Sequence, residues 1–450
     1  MAEQNNKRLD ILGFFVPALI GASIGGVRIP HILFPHLDER IDSGLVDVLF
    51  ILPAIVTLLS LRKFILRSGP LSVIGFSTAI FFTLTSIANV IAAPDAKILT
   101  IIGSTSCLIM FVVGFGRFGG RITTAEFRIF LTAVCLAGSA FVVVLLTFGG
   151  ASRAEIGVTQ IQSDFLEVGG IHRNGATLVA LISLCSALAL ILGARKIDIL
   201  TTAVAGVSIV LAGYLIYAFP GKGAWLSGGI IMVATAFMAY LYKRRWMLIG
   251  FVAGGVVLIP VLFRRISDYL LVYGHEASST TLSGRTILWD AANKGVFEHG
   301  RWPWGFGFDG AYSYSTNVIG GQLYHFHNEL VNAFFCGGVI GVVLLSLWVI
   351  TYLIYSYVLM MRARRDGDNR AIAAFGVFIG LLILSRLYSD VSLTALCEIL
   401  PAFTLMAAIL NYKVGDLMAS APRVTFQANT QRFRSRTGPA VASVRGVRQG

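Results

Sequence analysis

Apolar runs of about 17–22 residues recur along the whole chain, each long enough for a helix to cross ~30 Å of hydrocarbon. No other feature constrains the fold as much. Inside a bilayer every backbone N–H and C=O must find its partner within the protein, so segments of this length fold as helices. Composition agrees: of 450 residues, 56% are hydrophobic and only 13% are charged, with a mean hydropathy of +0.77. Such a chain has too little polar surface for a soluble globule. The reading is an all-α polytopic membrane protein of about twelve transmembrane helices. They fall at roughly 11–28, 45–61, 72–92, 98–115, 129–149, 175–193, 198–219, 223–241, 247–263, 329–360, 371–387 and 395–411. The first run lacks a clear small-residue cleavage site and reads as a retained helix.

Positive charge orients these spans. About two thirds of the 36 Lys and Arg lie in one set of connections and in the tail. That set includes Arg62, Arg67, Arg128, Arg195, Lys196, Lys243, Arg244, Arg245, Arg362 and Arg370, so it and both termini are expected to be cytoplasmic. The formal net charge of +13 is then mainly a matter of topology and calls for no nucleic-acid partner. Residues 1–412 read as one transmembrane domain. Residues 413–450 read as a basic, disordered cytoplasmic tail able to lie on anionic lipid.

The remaining cations lie on the outer side, against the positive-inside trend. They include Arg173, Lys222, Arg264, Arg265, Arg285, Arg301 and Arg386, and all seven histidines (31, 36, 172, 275, 299, 325 and 327) share that side. An outward face rich in Arg and His suits an anion such as phosphate or pyrophosphate; ordinary loop solvation explains others, such as Arg28 and Arg153. Lys222 sits in a tight turn, Pro220-Gly-Lys-Gly-Ala-Trp225, where its charge either points into the bundle mouth or snorkels to the interface. The five cysteines have neither disulfide-like nor metal-like spacing and read as small packing residues.

One hydrophilic interval, roughly 264–341, interrupts the apolar pattern, and its outward loop spans 264–328. Loops this long tend to carry function. Within it, Ser283 is positioned to cap a short helix ending near Glu298 and stopped by Gly300. Arg285 and Trp289 share one face of that helix, continued by Ala292 and Val296. Next comes Arg301-Trp-Pro-Trp-Gly-Phe-Gly-Phe-Asp309, where flat aromatic plates alternate with glycine; such plates stack on sugars or form an interfacial belt. Asn328 is placed to cap the tenth span, with Glu329 complementing the helix dipole. Asn174 is placed to cap the sixth. The tenth span is too long to be straight inside a bilayer, so either its first turns project outward or it bends at Gly337-Gly338. His327, just before that helix and near arginines, is expected to stay neutral and able to accept a proton. A structural histidine, or a metal held by His325 and His327, are the alternatives. The cationic surroundings argue against metal.

These residues resemble a known family. His327-Asn328, nine residues, then Gly338-Val-Ile-Gly341 is similar to the signature of the O-antigen ligase and polysaccharide polymerase superfamily. Ser283-Gly-Arg285 with Trp289 resembles its loop arginine segment, and Pro303-Trp-Gly305-Phe-Gly307 its Pro-x-Gly-x-Gly stretch. Gly170-Ile-His172-Arg173-Asn174 is similar to the His-Lys-Asn segment of exopolysaccharide polymerases. Gly221-Lys222-Gly223-Ala-Trp225 resembles the family's Ser-Arg-Gly-Ala-Trp turn, with lysine in place of the bidentate arginine. The likeness is carried by about residues 165–345.

The resemblance implies a glycosyltransferase-C-like helical fold in the bacterial inner membrane. It implies an inverting, metal-independent, cofactor-free enzyme working at the periplasmic face. The donor would be a glycan on undecaprenyl pyrophosphate and the acceptor a glycan or lipid A core, with polysaccharide export and chain-length proteins as candidate partners. His327 and Arg285 would be catalytic. Lys222, Arg173, His172, Arg264, Arg265, His325 and Asn328 would bind substrate. Polymerisation of exopolysaccharide or O-antigen units is favoured over ligation to lipid A core. A transporter or flippase is the reading from another class, and it would place ionisable groups at mid-membrane.

Overall fold

The computed structural model describes residues 11–26, 29–33, 69–92, 122–148, 167–168, 171–194, 198–218, 222–250, 253, 285–307, 326, 328–365, 367–387 and 399–420. Eleven α-helices lie wholly among them: α1 (Ile11–Gly26), α2 (Ile29–Leu33), α3 (Pro70–Ala92), α4 (Thr124–Phe148), α5 (Arg173–Gly193), α6 (Ile199–Ala218), α7 (Lys222–Leu241), α8 (Arg285–Glu298), α9 (Glu329–Ala363), α10 (Arg370–Arg386) and α11 (Ile399–Ser420); residues 245–250 are also helical. The β structure among the described residues is a two-residue antiparallel ladder, β1 (Glu167–Val168) with β2 (Ile171–His172), leading directly into α5. Six described helices are long and apolar enough to cross a membrane: α3, α4, α5, α6, α7 and α9. The chain is therefore an all-α multi-pass membrane protein. The expected spans at 45–61 and 98–115, and most of 247–263, lie outside the described residues.

The core is organised on α5. Its sequence is apolar all round after the first turn, with Ala and Ser recurring among the larger residues, so neighbours approach on every side. Of its membrane-crossing stretch 89% is buried, against 28% for α6. Around it pack α4, α6, α7 and α10, while α1 lies on α4 and α9 joins α3, α10 and α11. Close approach is built from small residues. A Cβ at Gly25 would meet the Val134 carbonyl of α4 at 2.6 Å. A Cβ at Gly138 would meet Ser183 Oγ of α5 at 2.6 Å. Ser183 in turn shares a buried hydrogen bond of 2.7 Å with Ser208 of α6.

Arginines close one end of the bundle. The last carbonyls of α5 accept from two of them: Gly193 O from Arg128 Nη2 at 3.1 Å, and Ala194 O from Arg244 Nη2. Both satisfy orphan carbonyls and complement the negative end of the helix dipole. Burial, and then the neighbouring Arg370, lower the Arg244 pKa. Arg370 itself donates to Ala363 O at 3.3 Å and lies over the Tyr242 ring. Connections that the charge pattern assigned to one side are thus joined at one end of the molecule.

At α9 the sequence left two possibilities, and the helix bends. Gly338 has φ 59° and ψ −160°, a conformation open essentially only to glycine. A continuous helix would bond Val339 N–H to Phe335 O and Ile340 N–H to Cys336 O. Instead the 301–307 segment inserts between them. Val339 N donates to Trp302 O at 2.9 Å and Ile340 N to Pro303 O at 3.2 Å, while Phe306 N donates to Phe335 O and Gly307 N to Cys336 O, both at 2.8 Å. Four bonds replace two, so the break leaves none of these groups orphaned. Gly305, with φ 68°, lies so close that a Cβ would strike the Cys336 carbonyl and the Gly337 nitrogen.

Several boundaries differ from expectation; α4, for one, begins at Thr124, earlier than the span expected from 129. The sixth-span helix, α5, begins at Arg173, so Asn174 lies in its first turn instead of capping it; the β ladder delivers the chain there already folded. The last helix continues beyond 412 to Ser420, because Val414 is buried on the core side, extending a face that the surrounding polar residues mask.

Candidate active site

The opposite end of the bundle collects the first turns of α5, α7, α8 and α9 around the last turn of α10. Two bonds tie neighbours to α10: Ser227 Oγ of α7 meets Ser385 Oγ at 2.7 Å, and Glu329 N donates to Leu387 O at 2.9 Å. The end of α5 meets the start of α10 at Gly193 and Ala371. These helices therefore run antiparallel, and the start of α5 shares the end where α10 finishes. Four helix N-termini, each the partially positive end of a helix dipole, accordingly face the same end.

The start of α9 is fixed in detail. Asn328, at φ −153° and ψ 121°, accepts at Oδ1 from Leu330 N at 2.9 Å and Val331 N at 3.1 Å, the N-cap expected from the sequence. On the other side of His327, the Phe326 carbonyl accepts from Trp289 Nε1 at 2.8 Å. Phe326 is buried in a small apolar cluster with Ala292, Val296, Phe306 and Phe335. Its ring lies 4.8 Å from that of Phe335, which stacks at 4.7 Å on Phe306. Both chain neighbours of His327 are thus held by buried contacts.

Helix α8 ends at Glu298 as expected, while its expected cap, Ser283, lies outside the described residues. Gly300, at φ 65°, ends it: Gly300 N donates to Phe297 O at 3.0 Å and Arg301 N to Val296 O at 2.8 Å, the pattern of a glycine C-cap. Ala292 and Val296 are buried and Trp289 half-buried, so the predicted stripe is the face applied to α9. Because Trp289 reaches Phe326, while the residues after α8 reach Gly338, α8 runs parallel to the first turns of α9. Arg285, one turn before Trp289, thus starts α8 at the end nearest the Phe326–Asn328 segment.

The backbones of His172, Arg173, Lys222 and Arg285 are placed at this end of the molecule by their elements; Asn328 is described together with its side chain. His327, His325, Arg264 and Arg265 lie outside the described residues. Two residues that the sequence places on the outer side, but not among the substrate-binding or catalytic set, join the region: Glu329 is 0% exposed and Arg386 3% exposed. They occupy adjoining helix ends, and each complements its own dipole. Their signal in the sequence was slight, a charged residue at the edge of an apolar run.

Residues 207–346 match the family model described as O-antigen ligase. Among curated proteins, the exopolysaccharide production protein ExoQ of Rhizobium meliloti (strain 1021) is 27% identical over 175 residues. That similarity covers 37% of this chain and 37% of the relative. The matched family segment takes in α7, α8, the inserted loop and the bent first half of α9.

Proposed function

With the O-antigen ligase and polysaccharide polymerase superfamily supported by both similarities, we propose that this protein is a membrane glycosyltransferase. It moves a glycan from an undecaprenyl-pyrophosphate carrier to an acceptor sugar at the periplasmic face of the inner membrane, and so polymerises exopolysaccharide or O-antigen repeat units. The observation that carries this reading is the gathering of four helix N-termini, with Arg173, Lys222 and Arg285 in their first turns, beside the two fixed neighbours of His327. Fixed cations and helix dipoles suit a pyrophosphate leaving group, whose negative charge grows as the glycosidic bond breaks.

In this mechanism His327 takes the proton from the acceptor hydroxyl. The freed oxygen attacks the anomeric carbon from the face opposite the phosphate, the sugar–phosphate bond breaks, and configuration inverts. Arg285 and Lys222 stabilise the departing pyrophosphate; Arg173, Arg264, Arg265, His172 and His325 hold the carrier and glycan. Asn328 orients the segment by capping α9. The cations replace a metal, so chelator leaves the reaction intact.

Twelve spans with both termini cytoplasmic, loop 264–328 outside and a basic tail after the last helix complete the proposed architecture. Ligation to lipid A core is the second reading, in keeping with the matched family's description, while the similarity to a protein named for exopolysaccharide production is in keeping with an exopolysaccharide product. The glycan made by a deletion strain tests both. Loss of long chains with single lipid-linked units still made supports the polymerase. Intact lipid-linked polymer missing from lipid A supports the ligase, and unaltered glycan overturns both.

A further inference from the structure

We propose that the inserted 301–307 segment is a bilayer anchor: Trp302 and Trp304 seat in the boundary between headgroups and acyl chains of the leaflet at the active-site end. The inference is independent of the chemistry proposed for His327. Three observations lead to it. First, the second half of α9 presents an exposed apolar stripe, Val343, Leu347, Ile350, Ile354 and Tyr357, at helical spacing; on a membrane-crossing helix that stripe is the lipid-facing side. Second, the stripe continues upward into Val339 and Ile340, whose amides bond Trp302 O and Pro303 O. The exposed indoles of Trp302 (50%) and Trp304 (47%) therefore stand at the upper end of the same lipid-facing surface. Third, the height fits. Counting ~1.5 Å per residue back from Arg362, ~30 Å of hydrocarbon ends near Val342. Gly338, where the loop inserts, lies about one helical turn above, in the zone where tryptophan concentrates.

The polar side of this unit supports the assignment. Lys294 and Glu298 pair at 3.6 Å on the exposed face of α8, apart from the exposed indoles of the loop, where Arg301 lies over the Phe306 ring. Indoles suit the boundary because the ring is apolar and its N–H stays within reach of water and headgroups. An anchor here fixes the height of α8, and with it Arg285, relative to the lipid surface.

Tryptophan fluorescence of the full-length protein in phosphatidylcholine nanodiscs tests the proposal. The signal lost between wild type and Trp302→Phe/Trp304→Phe isolates the two indoles, and phenylalanine preserves the backbone bonds. Lipids brominated near the headgroup end of the acyl chain should quench that difference signal roughly twofold more than lipids brominated near the methyl end, while aqueous acrylamide should quench it far less than it quenches free tryptophan. Quenching by acrylamide but not by brominated lipid would overturn the proposal in favour of a water-facing platform for glycan or a protein partner. The single variants Trp302→Phe and Trp304→Phe provide the same reading should the double variant fail to fold.

Discussion

Trp289 and Phe326, 37 positions apart, are joined by a hydrogen bond of 2.8 Å from the indole N–H to the backbone carbonyl. The bond links α8, which begins with Arg285, to the residue before His327. Replacing Trp289 by Phe keeps most of the apolar contact and removes the donor. A bond of this kind contributes about 1 kcal/mol net, so the melting temperature should fall by only a few degrees. Turnover should fall further, about tenfold, if the bond positions the segment. Equal, small losses in both would make Trp289 a packing residue only.

The break in α9 gives a sharper steric prediction. Gly338→Ala places a Cβ against the Trp302 carbonyl and the Trp304 nitrogen in a backbone conformation that L-residues avoid. Together these should cost roughly 2–5 kcal/mol, and Gly305→Ala should behave alike. Gly341→Ala should be milder, since its Cβ would meet Phe82 Cζ at 3.1 Å and the Ala333 carbonyl at 3.4 Å, and a ring edge can shift. Thermal melts and limited proteolysis of residues 285–307 would measure the order; Gly341→Ala worse than Gly338→Ala would refute the insertion.

Much of this was legible in the sequence, for identifiable reasons. Apolar length reveals α4 to α7 because hydrocarbon thickness sets it, and Asn328 and Gly300 announce helix ends through cap chemistry. The bend at Gly338 was foreseen as one of two outcomes. What fills it was not, because four backbone bonds between positions 302–307 and 335–340 leave no period in the chain; only the glycines at 305, 307 and 338 mark the site, and they read equally as flexibility. The burial of Glu329 and Arg386 was hidden for a related reason: a charge at the edge of an apolar run looks the same whether it faces water or a neighbouring helix end.

At the start of α6, Asp198 Oδ2 accepts from Thr201 Oγ1 at 2.5 Å and from Thr201 N at 3.3 Å. These bonds to Thr201, the hydroxyl first, hold its carboxyl below the ordinary value of 3.8. A depressed carboxylate adds stability above its unfolded pKa, and loses it as pH falls through the lower folded value. Protection of the Thr201 and Thr202 amides from exchange, taken relative to their intrinsic rates at each pH, should therefore fall as the pH drops below about 3.8. In Asp198→Asn it should show no such acid step; an identical acid step in that variant would contradict the cap.

Cation substitutions test the leaving-group role. Arg285→Ala should abolish transfer while the protein still inserts and folds, and Lys222→Ala should do so less severely. Lys222→Arg should be tolerated, since the charge is kept. Activity of the purified variants on an undecaprenyl-pyrophosphate-linked repeat unit, in chelator, measures all three. Wild-type turnover by Arg285→Ala would remove it from the site, and a requirement for added magnesium would contradict the metal-free mechanism.

We propose that His327, the chain neighbour of Phe326 and Asn328, takes the acceptor proton, and the decisive measurement is the turnover of His327→Gln. Glutamine can imitate a hydrogen bond but cannot carry the proton, and loss of a general base typically costs ~10²–10⁴ in rate. With donor binding measured alongside on the same lipid-linked substrate, His327→Gln and His327→Ala should both bind donor and be nearly inactive, and His325→Ala should be milder. Near-wild-type turnover by His327→Gln would leave His327 a positioning residue and the reaction without the base assigned to it.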